Sequence, residues 1–510
     1  MGRIAVAVIV ILWVVPISII VNRIIPEPYM DEIFHVPQAQ QYCKGNFKSW
    51  DPMITTPPGL YFLSIAYAAS LFPGMHFLQQ LTSFSNICST LVLRTTNALL
   101  TVICSILIYE IITHLKPSLD DKKSTLQAVI LSLYPLHWFF TFLYYTDVAS
   151  LTAVLAMYLL VLKRKYIFSS LFGVLSVLIR QTNIIWMLFV ACVGVLEFTK
   201  IHQIDDVRVD DSRVSERKGA QSAHSKGVSS VSNLRKRRFS TNMDVPNNFT
   251  SRTTISSTPY ASGLLDEIQV IILKSWHLKW ELLASFSPFF MVFVAFVAFV
   301  CWNGSIVLGA KDAHEVSPHF AQLLYYSLVS AVFTFPVHFT LGQAAVLLRS
   351  FRQNRLLTFF QWFMALTAAF LSVHFFSIAH PYLIADNRHY PFYLWRKIIR
   401  YHWSTKYLLI PPYTYSWFSI FSSLVKSQQK IWTLAYFLAS AATLIPAPLI
   451  EFRYYTIPFF FFLLHSNINN SKSWLFLGIL YIAVNCFTMF MFLFRPFFWD
   501  HEAGIQRFIW

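Results

Sequence analysis

Residues 27–60 read EPYMDEIFHVPQAQQYCKGNFKSWDPMITTPPGL, a polar, turn-rich stretch that directly follows the first apolar segment. It contains the acidic pair Asp31–Glu32, a histidine, three glutamines, a Trp-Asp-Pro turn and a Thr-Thr-Pro-Pro-Gly turn. Most of the remaining sequence is apolar and aromatic. A polar segment set between hydrophobic spans is the first place to expect chemistry, and the rest of the chain is expected to build a membrane-embedded frame around it.

The composition is that of a protein that crosses the membrane many times. Of 510 residues, 56% are hydrophobic and only 13% are charged, against about 25% charged residues in soluble proteins. Lipid offers the backbone no hydrogen-bond partners, so spans must be helices or closed barrel strands. The apolar runs are continuous rather than alternating, which favours helices. We predict an all-α polytopic membrane protein with about 12 to 14 transmembrane helices.

The charge and the cysteines exclude other classes. The net charge of +16 is interpreted as Lys and Arg in cytosolic loops that follow the positive-inside rule, so no nucleic-acid partner is expected. The six cysteines show no CxxC or metal-ligand spacing. Most of them lie in apolar runs, where a thiol is expected to behave as a small hydrophobic group.

The chain is predicted to consist of two membrane modules and a polar loop. Residues 1–198 form the N-terminal module, whose first lumenal loop, residues 26–80, contains the organising stretch. Residues 280–510 form the C-terminal module. Residues 199–279 are rich in Ser, Asp and Arg and are predicted to be a disordered, basic cytosolic loop. The first span has no A-x-A-like cleavage site, so we expect it to be a retained signal anchor.

Counting spans between basic loops places the acid–arginine clusters on one side of the membrane. A transporter would instead place ionisable residues near the middle of the membrane. Their position at span ends suits a reaction at the lumenal face on a substrate whose tail stays in lipid. The principal clusters contain Asp31–Glu32, Asp147, Arg180, Asp386–Arg388–His389 and Glu451–Arg453.

Each cluster also has a purely structural interpretation. Asp31–Glu32 could stabilise the N-terminus of an interfacial helix, and Asp147 could cap the span that follows it. Arg388 and Arg453 could be interfacial anchors whose charged ends reach water, each paired with the acid two residues before it. The histidines in these clusters are more often interfacial residues than catalysts.

Acids combined with arginines at a membrane face suit the transfer of a sugar from a lipid phosphate. An acid can deprotonate the acceptor hydroxyl as it attacks the anomeric carbon. Arginines can bind the departing phosphate and stabilise its growing charge. A nucleotide-sugar donor would need a soluble nucleotide-binding domain, and no stretch of the sequence could fold as one.

Five blocks of the sequence resemble the dolichyl-phosphate-glucose α-1,2-glucosyltransferases. They occur in the order typical of that family and cover the whole chain except residues 199–279. The blocks are Tyr29–His35 with the glutamines that follow, Trp50–Gly59, Arg180–Trp186, His380–Tyr390 and Pro448–Tyr455.

The resemblance implies a type C glycosyltransferase (GT-C) fold and a multi-pass enzyme of the endoplasmic reticulum membrane with its active site facing the lumen. Such an enzyme takes glucose from dolichyl phosphate glucose. It adds the terminal, third glucose to the diglucosylated dolichyl-diphosphate-linked oligosaccharide. The donor is β-linked and the product α-linked, so one inverting displacement with one base suffices. No metal or other cofactor is expected.

The resemblance also assigns roles to residues. The catalytic base is expected to be Asp31, with Glu32 as the alternative, and Arg388 and Arg453 are expected to bind the donor phosphate. One departure is Ala310, where an acid is expected after the glycine. Further donor-binding candidates are Arg180 and His389, and supporting or acceptor-binding candidates are His35, Trp50, Asp147, Asp386, Glu451 and Tyr454.

Two other functions stay open on the sequence alone. Another dolichyl-phosphate-sugar transferase, for mannose or an earlier glucose, would share the fold and the base. A transporter or channel-associated protein would show mid-membrane charges and inverted repeats, and neither is visible.

Overall fold

The structure is a computed structural model that describes residues 2–77, 84, 87–200, 263–311, 317–468, 470–500 and 502–510. The chain forms two compact units, of which the larger comprises Met1–Val195 with Trp280–Trp510 and the smaller Leu196–Lys279. Except for residues 196–198, the residues of both predicted membrane modules belong to the larger unit. It is almost entirely helical in its described part, which confirms the predicted all-α class.

The N-terminal part consists of long apolar helices and of shorter helices between them. In chain order they are α1 (Gly2–Ile24), α2 (Glu32–Cys43), α3 (Gly59–Phe77), α4 (Thr90–Leu115), α5 (Asp121–Ser132), α6 (Pro135–Phe140), α7 (Thr146–Leu162), α8 (Tyr166–Ile179) and α9 (Asn183–Lys200).

The C-terminal part continues the same pattern and ends in a small hairpin. Its helices are α10 (Leu264–His277), α11 (Lys279–Asn303), α12 (Ala321–Phe333), α13 (Phe335–His338), α14 (Leu341–Gln353), α15 (Arg355–Phe376), α16 (Pro381–Ala385), α17 (Tyr390–Leu394), a π-helical turn (Trp395–Ile399), α18 (Thr405–Leu408), α19 (Ile410–Val425), α20 (Lys430–Leu444), a 3₁₀ turn (Phe452–Tyr455), α21 (Thr456–His465) and α22 (Ser471–Phe494). Strands β1 (Phe497–Trp499) and β2 (Glu502–Gln506) pair antiparallel.

Six helices of the described chain are long and apolar enough to cross a membrane: α1, α4, α9, α11, α15 and α22. Four shorter apolar helices accompany them, at Gly59–Gly74, Thr146–Leu162, Tyr166–Ile179 and Ala321–Phe333. A protein with this many apolar helices is polytopic. The expected total of about 12 to 14 spans counted several short segments and stays a prediction.

Hydropathy predicts the apolar runs 125–142 and 320–348 as continuous spans, and both predictions are wrong, because each run is divided at a proline. The apolar run 125–142 breaks between α5 and α6, and Pro135 stands in the first turn of α6. The run 320–348 breaks twice, and Pro336 opens the short helix α13. A proline lacks the N–H that would continue a helix, so it is favoured in a first turn, and a helix often begins anew at it.

The smaller unit contains helix α10. Most of the predicted disordered loop, residues 201–262, lies outside the described residues. Its last part is wrong as a prediction, because Leu264–His277 is helical. Asp266 accepts a hydrogen bond from the backbone N–H of Gly263 and caps the start of the helix, a local signal in the sequence that the polar composition concealed.

Two hydrophobic clusters meet at the short segment between α6 and α7. One joins α2, α3 and the start of α4, and it includes Tyr144. The other joins the end of α1, α6, α22 and Ile509, and it includes Tyr145. The two adjacent tyrosines therefore fix this segment between both clusters, and each of them forms a hydrogen bond with one residue of the acidic pair.

Candidate active site

Glu32 lies in a fully buried ion pair. Its carboxylate is 2.6 Å from Arg94 of α4, and the two side chains are 0% and 1% exposed. The backbone N–H groups of Tyr29 and Tyr144 also donate to it, at 3.1 and 2.6 Å. Every oxygen of Glu32 is thus engaged, and the side chain has no access to a substrate.

Arg94 also binds the chain that leads into the first loop. Its guanidinium donates to the carbonyl oxygens of Ile25 and Glu27 at 2.6 and 3.0 Å, and to the side chain of Asn22 at 3.2 Å. A buried guanidinium needs such partners, since an unpaired buried charge is costly. The pair Glu32–Arg94 therefore holds together the end of α1, the start of α2 and α4.

Asp31 directly precedes Glu32 but faces Arg453 instead of Arg94. It is the N-cap residue of α2, its backbone N–H donates to the hydroxyl of Tyr145 at 3.1 Å, and its side chain is 39% exposed. Met30 before it has a φ of 56°, a left-handed conformation that a non-glycine residue keeps only when its surroundings fix it. Here the bonds of Tyr29 and Glu32 on either side supply that constraint.

Arg453, on the 3₁₀ turn before α21, joins Asp31 to two other acids. It donates to Asp31 at 2.8 Å and to Glu451, and it lies 4.0 Å from Asp147. Its guanidinium carbon lies 5.7 Å from the ring centre of Tyr145. The structure thus brings together residues 422 positions apart, as the predicted convergence on one face requires.

Arg180 extends this cluster from the C-terminal end of α8. It donates to one oxygen of Asp147 at 3.0 Å, and the ring of Tyr454 lies 6.0 Å away. The second oxygen of Asp147 is buried and has no hydrogen bond among the described residues. That oxygen points toward Arg453, so it is an acceptor available to a ligand in the cluster.

Arg388 and His389 lie in a separate but adjacent group. Arg388 forms a two-pronged ion pair with Asp386, with a closest approach of 2.7 Å, and His389 lies 3.7 Å from the same carboxylate. Asp386, Arg388 and His389 line a cavity of about 420 Å³ that also reaches Leu449–Glu451. Glu451 contacts both this cavity and Arg453, so it links the two groups.

The C-terminal segment, residues 497–510, forms one wall of this region. Gln506 of β2 accepts from Arg388 at 2.9 Å, and the indole of Trp499 lies 4.6 Å from the Arg388 guanidinium. The backbone of Ile509 pairs with Arg388 and Tyr390 at 2.9 and 3.2 Å. These contacts fix the direction of Arg388 from three sides.

The C-terminal segment is itself fixed to the first loop. The backbone of Arg507 exchanges hydrogen bonds with the hydroxyl of Tyr29 at 2.7 and 2.8 Å. The guanidinium of Arg507 donates to the last carbonyls of α22, those of Phe492 and Leu493, at 2.9 Å. The C-terminal segment therefore connects the first loop, through Tyr29, to Arg388, and it fixes their relative positions.

The charges of the cluster decide which groups ionise. Burial raises the pKa of Asp31, but the charge and hydrogen bond of Arg453 outweigh it, so the net pKa lies below the usual value. At Glu451, too, burial raises the pKa and the charge of Arg453 lowers it, and the net pKa lies below the usual value. Burial lowers the pKa of His35, against the attraction of Asp31. Asp31 is therefore an ionised carboxylate beside a neutral His35 at neutral pH.

The other candidates of the first loop support the loop itself. His35 shares a 2.6 Å hydrogen bond with the hydroxyl of Tyr61, and Trp50 packs edge-on against the same ring. Gly309 lies so close to the turn at 52–54 that a Cβ would collide with the carbonyl oxygens of Pro52 and Ile54. The backbone N–H of Ala310, where an acid was expected, donates to Pro52 at 3.0 Å.

Three parts of the site escaped the sequence analysis. Arg94 stood unnoticed near the start of an apolar span, and the C-terminal segment carried no motif. Cys43 and Cys88 form a disulfide across 45 residues that joins the end of α2 to the start of α4, so the expectation that the cysteines are merely hydrophobic is wrong for these two. The only sequence signal was that Cys43 lies in the polar loop and Cys88 lies shortly before the next span.

The geometry combines a partly exposed, ionised acid with an arginine, and Glu451 joins that arginine to the cavity lined by Arg388. Such a site can accept a proton from a hydroxyl and at the same time bind a developing phosphate charge. Among the described residues, no three His, Cys, Asp or Glu side chains are arranged to hold a metal ion.

Comparisons with known proteins agree with this chemistry. The profile of the DIE2/ALG10 family matches residues 25–464. An Arabidopsis thaliana protein named Dol-P-Glc:Glc(2)Man(9)GlcNAc(2)-PP-Dol alpha-1,2-glucosyltransferase is 58% identical over 513 residues, covering 100% of both chains. Proteins of the same name from Mus musculus and Homo sapiens are 34% and 32% identical, over 96% of this chain and 94% of theirs. No solved structure matches the chain.

Proposed function

Because the chain belongs to the DIE2/ALG10 family, we propose that it is an inverting α-1,2-glucosyltransferase. The donor is dolichyl phosphate glucose, and the acceptor is Glc2Man9GlcNAc2 linked to dolichyl diphosphate, as in the names of the relatives. The resemblance inferred from the five sequence blocks is confirmed by the family match. The observation that best supports the chemistry is the contact between the exposed carboxylate of Asp31 and Arg453.

Asp31 is the catalytic base in this proposal. It is ionised at neutral pH, because Arg453 holds its pKa below the usual value, and it is the more exposed of the two adjacent acids. Removal of the proton from the acceptor hydroxyl lets the oxygen attack the anomeric carbon from the face opposite the phosphate. One such displacement converts a β-linked donor into an α-linked product.

Glu32, the alternative base, is better explained as a positioning residue. Its oxygens are used by Arg94 and by two backbone N–H groups. A general base must come within hydrogen-bond reach of the hydroxyl whose proton it takes. The buried pair instead fixes the backbone that presents Asp31.

Arg453 and Arg388 bind the phosphate of the donor. Arg453 uses two N–H groups for Asp31 and Glu451, and a guanidinium has five, so donors are left for a phosphate oxygen. Arg388 reaches the same region through the 420 Å³ cavity that Glu451 also lines. Charge-assisted bonds to the leaving phosphate strengthen as the glycosidic bond breaks.

Asp147 and Arg180 complete the sugar side of the site. The unpaired oxygen of Asp147 suits a hydroxyl of the donor glucose, and Arg180 holds the carboxylate in place at 3.0 Å. His35 and Trp50 are assigned to the acceptor side, because they line the first loop beside Asp31. His389, Asp386, Glu451 and Tyr454 support the arginines.

We place the site on the lumenal side of the endoplasmic reticulum membrane. The disulfide Cys43–Cys88 supports this orientation, since disulfides persist in the oxidising lumen and are rare in the cytosol. It joins the loop that carries Asp31 to the start of α4. The basic segments at 116–123 and 163–165 then face the cytosol, as the positive-inside rule requires.

The proposed function is tested by glucose transfer with purified protein in detergent or vesicles. The donor is dolichyl phosphate glucose, and three acceptors carry zero, one or two glucose residues on the oligosaccharide. We expect one glucose to be added only to the diglucosylated acceptor, in α-1,2 linkage as determined by NMR.

Transfer of mannose, or transfer to an acceptor with fewer glucose residues, would contradict the specificity and leave the reaction type intact. Absence of transfer from any dolichyl phosphate sugar would contradict the reaction itself. The Asp31→Asn variant is the negative control, because it keeps the shape of the side chain and removes its basicity.

A further inference from the structure

A second cavity is lined mainly by residues that follow Arg388 in the sequence, and it shares no lining residue with the first cavity. It has a volume of about 620 Å³ and is lined by Trp395, Arg400, His402, Trp403, Lys406 and Tyr407, among others. None of its lining residues takes part in the proposed glucosyl transfer. We call it the cationic cavity.

The cations of this cavity lack acidic partners. The sequence contains no Asp or Glu between Asp386 and Glu451. Within the described chain, neither Arg400 nor Lys406 has a carboxylate within 4.0 Å. Lys406 instead lies over the ring of Tyr407 at 4.9 Å. A group of cations without counterions in a cavity suits an anionic ligand.

The cavity lies on the same side of the membrane as Arg388. Only α17 and the π-helical turn, of five residues each, separate the two, and a span needs about 20 residues. Transmembrane proteins carry few Lys and Arg in lumenal loops, whereas residues 377–409 contain five and a single acid. This exception to the charge rule calls for a ligand.

Aromatic side chains place the cavity at the level of the lipid headgroups. Tyr401 and Trp403 are 80% and 75% exposed, as is typical of aromatic residues at the membrane–water boundary. The backbone between them and Arg388 forms a π-helical turn at Trp395–Ile399, an irregularity that is frequent at functional sites. The ligand should therefore carry a phosphate at the end of an apolar chain.

The proposed reaction has two such lipids and needs two headgroup sites. The donor's phosphate is bonded to the sugar being transferred, so it must lie beside Asp31 and Arg453. The acceptor's reactive hydroxyl is at the end of a long oligosaccharide, as the formula Glc2Man9GlcNAc2 in the relatives' names indicates. Its diphosphate is therefore far from the reacting atoms and must be bound elsewhere.

We propose that the cationic cavity binds the diphosphate headgroup of the polyprenyl lipid that carries the acceptor, through Arg400 and Lys406. This inference rests on the proposed function and adds a carrier-lipid site to it. A diphosphate bears more charge than a donor monophosphate, which suits two cations that are not neutralised by acids. The indoles of Trp395 and Trp403 and the ring of Tyr407 border the start of the apolar chain.

The test is steady-state kinetics of the double variant Arg400→Gln/Lys406→Gln. We expect the KM for the diglucosylated acceptor to rise about tenfold or more, because two charge-assisted contacts are lost. The KM for dolichyl phosphate glucose and kcat should stay within about twofold. The control Arg349→Gln/Arg352→Gln removes two exposed cations from α14 and should leave all three values unchanged.

Inhibition by a short polyprenyl diphosphate distinguishes the acceptor site from the donor site. Farnesyl diphosphate should inhibit wild type competitively with the acceptor, farnesol should not inhibit, and the double variant should be insensitive. The charge-preserving variant Arg400→Lys/Lys406→Arg should recover most of the acceptor affinity, which would exclude misfolding as the cause.

Three outcomes would overturn the inference. An unchanged acceptor KM would show that the cavity does not bind the acceptor. A raised donor KM, or inhibition competitive with the donor alone, would assign the cavity to the donor lipid. A loss of activity that depends on phosphatidylinositol in the vesicles would assign it to a bilayer lipid. If wild type transfers no glucose at all, the proposed function fails, and binding of farnesyl diphosphate to wild type and double variant still decides the cavity's role.

Discussion

The buried pair Glu32–Arg94 and the half-open cluster Asp31–Arg453–Glu451 both combine acids with an arginine. Their acids Glu32 and Asp31 are adjacent in the sequence. In the buried pair both side chains are almost fully excluded from solvent, and each is saturated by protein partners. In the open cluster Asp31 is 39% exposed, and the buried oxygen of Asp147 beside it has no hydrogen-bond partner within the described chain. The difference separates a structural ion pair from a group that can exchange its partner for a substrate.

The comparison shows that residue type alone does not assign a role to an acid. A helix turns by about 100° per residue, so neighbours at its start face different surroundings. Glu32 turns toward Arg94 of α4, and Asp31 turns toward Arg453. Burial and saturation are therefore the better criteria for a catalytic acid.

The largest expected effect is on the rate of the Asp31→Asn variant. We expect kcat to fall about 10²- to 10⁴-fold, as for the loss of a general base, while the protein stays folded because Asp31 is partly exposed. Single-turnover transfer and the apparent melting temperature in detergent measure the two quantities. Comparable kcat values for Asp31→Asn and wild type would remove Asp31 from the mechanism.

The buried pair should show the reverse pattern, a loss of stability. Arg94→Met leaves the Glu32 carboxylate buried without its cation, which costs about 3 to 5 kcal/mol, and we expect a lowered melting temperature and a lower yield. The double variant Glu32→Gln/Arg94→Met should recover part of the loss.

The control for this prediction is Lys163→Met. It removes a partly exposed ion pair with Glu110, worth about 0 to 1 kcal/mol. An Arg94→Met protein as stable as this control would contradict the structural role of the buried pair.

Arg453 should influence the pH dependence of the rate. In wild type it holds the pKa of Asp31 below the usual 3.8 against the effect of burial, so the base stays ionised across the neutral range. In Arg453→Gln the lowering effect is lost and burial still raises the pKa. The fall in rate toward acid pH should therefore begin at a higher pH, in addition to a loss of about 10²- to 10³-fold from the missing phosphate contact.

This prediction is checked by kcat/KM between about pH 4 and pH 8. The variant Arg180→Gln serves for comparison, because Arg180 contacts Asp147 rather than Asp31. The same acid limb in wild type and Arg453→Gln would mean that Asp31 is not the group that titrates.

The smallest effect is expected for Gln506→Ala. The variant removes one hydrogen bond to Arg388, worth about 1 kcal/mol, so the KM for the donor should rise about fivefold with little change in the acceptor KM. Gln353→Ala, an exposed glutamine on α14, is the matched control. Equal donor KM values for both variants would show that the C-terminal segment does not position Arg388.

The sequence predicted the class of fold, the polar first loop and the clusters that meet on one face. These follow from hydropathy and from the alternation of basic loops, which are properties of continuous segments. Asp31 and Arg453 could be placed together by this counting, although 422 positions separate them. It could not choose between Asp31 and Glu32, because the two differ only in what surrounds them.

The missed features depend on contacts that leave no local pattern. Arg94 lies 62 positions from Glu32, and its charge is hidden at the start of an apolar helix. The disulfide spans 45 residues with no motif. The breaks at Pro135 and Pro336 were missed for another reason, since hydropathy averages over a proline that ends a helix.

The hairpin at residues 497–506 and the residues that follow it have a consequence for biosynthesis. They leave the ribosome after α1 to α22, so the membrane helices can be inserted before Arg388 meets Gln506 and Trp499. The donor side of the enzyme is thus completed last. A nonsense mutation shortly after Phe494 would yield a chain that retains α1 to α22 and the proposed base, but it would lack Gln506 and Trp499, which hold the proposed donor-phosphate ligand Arg388 in place.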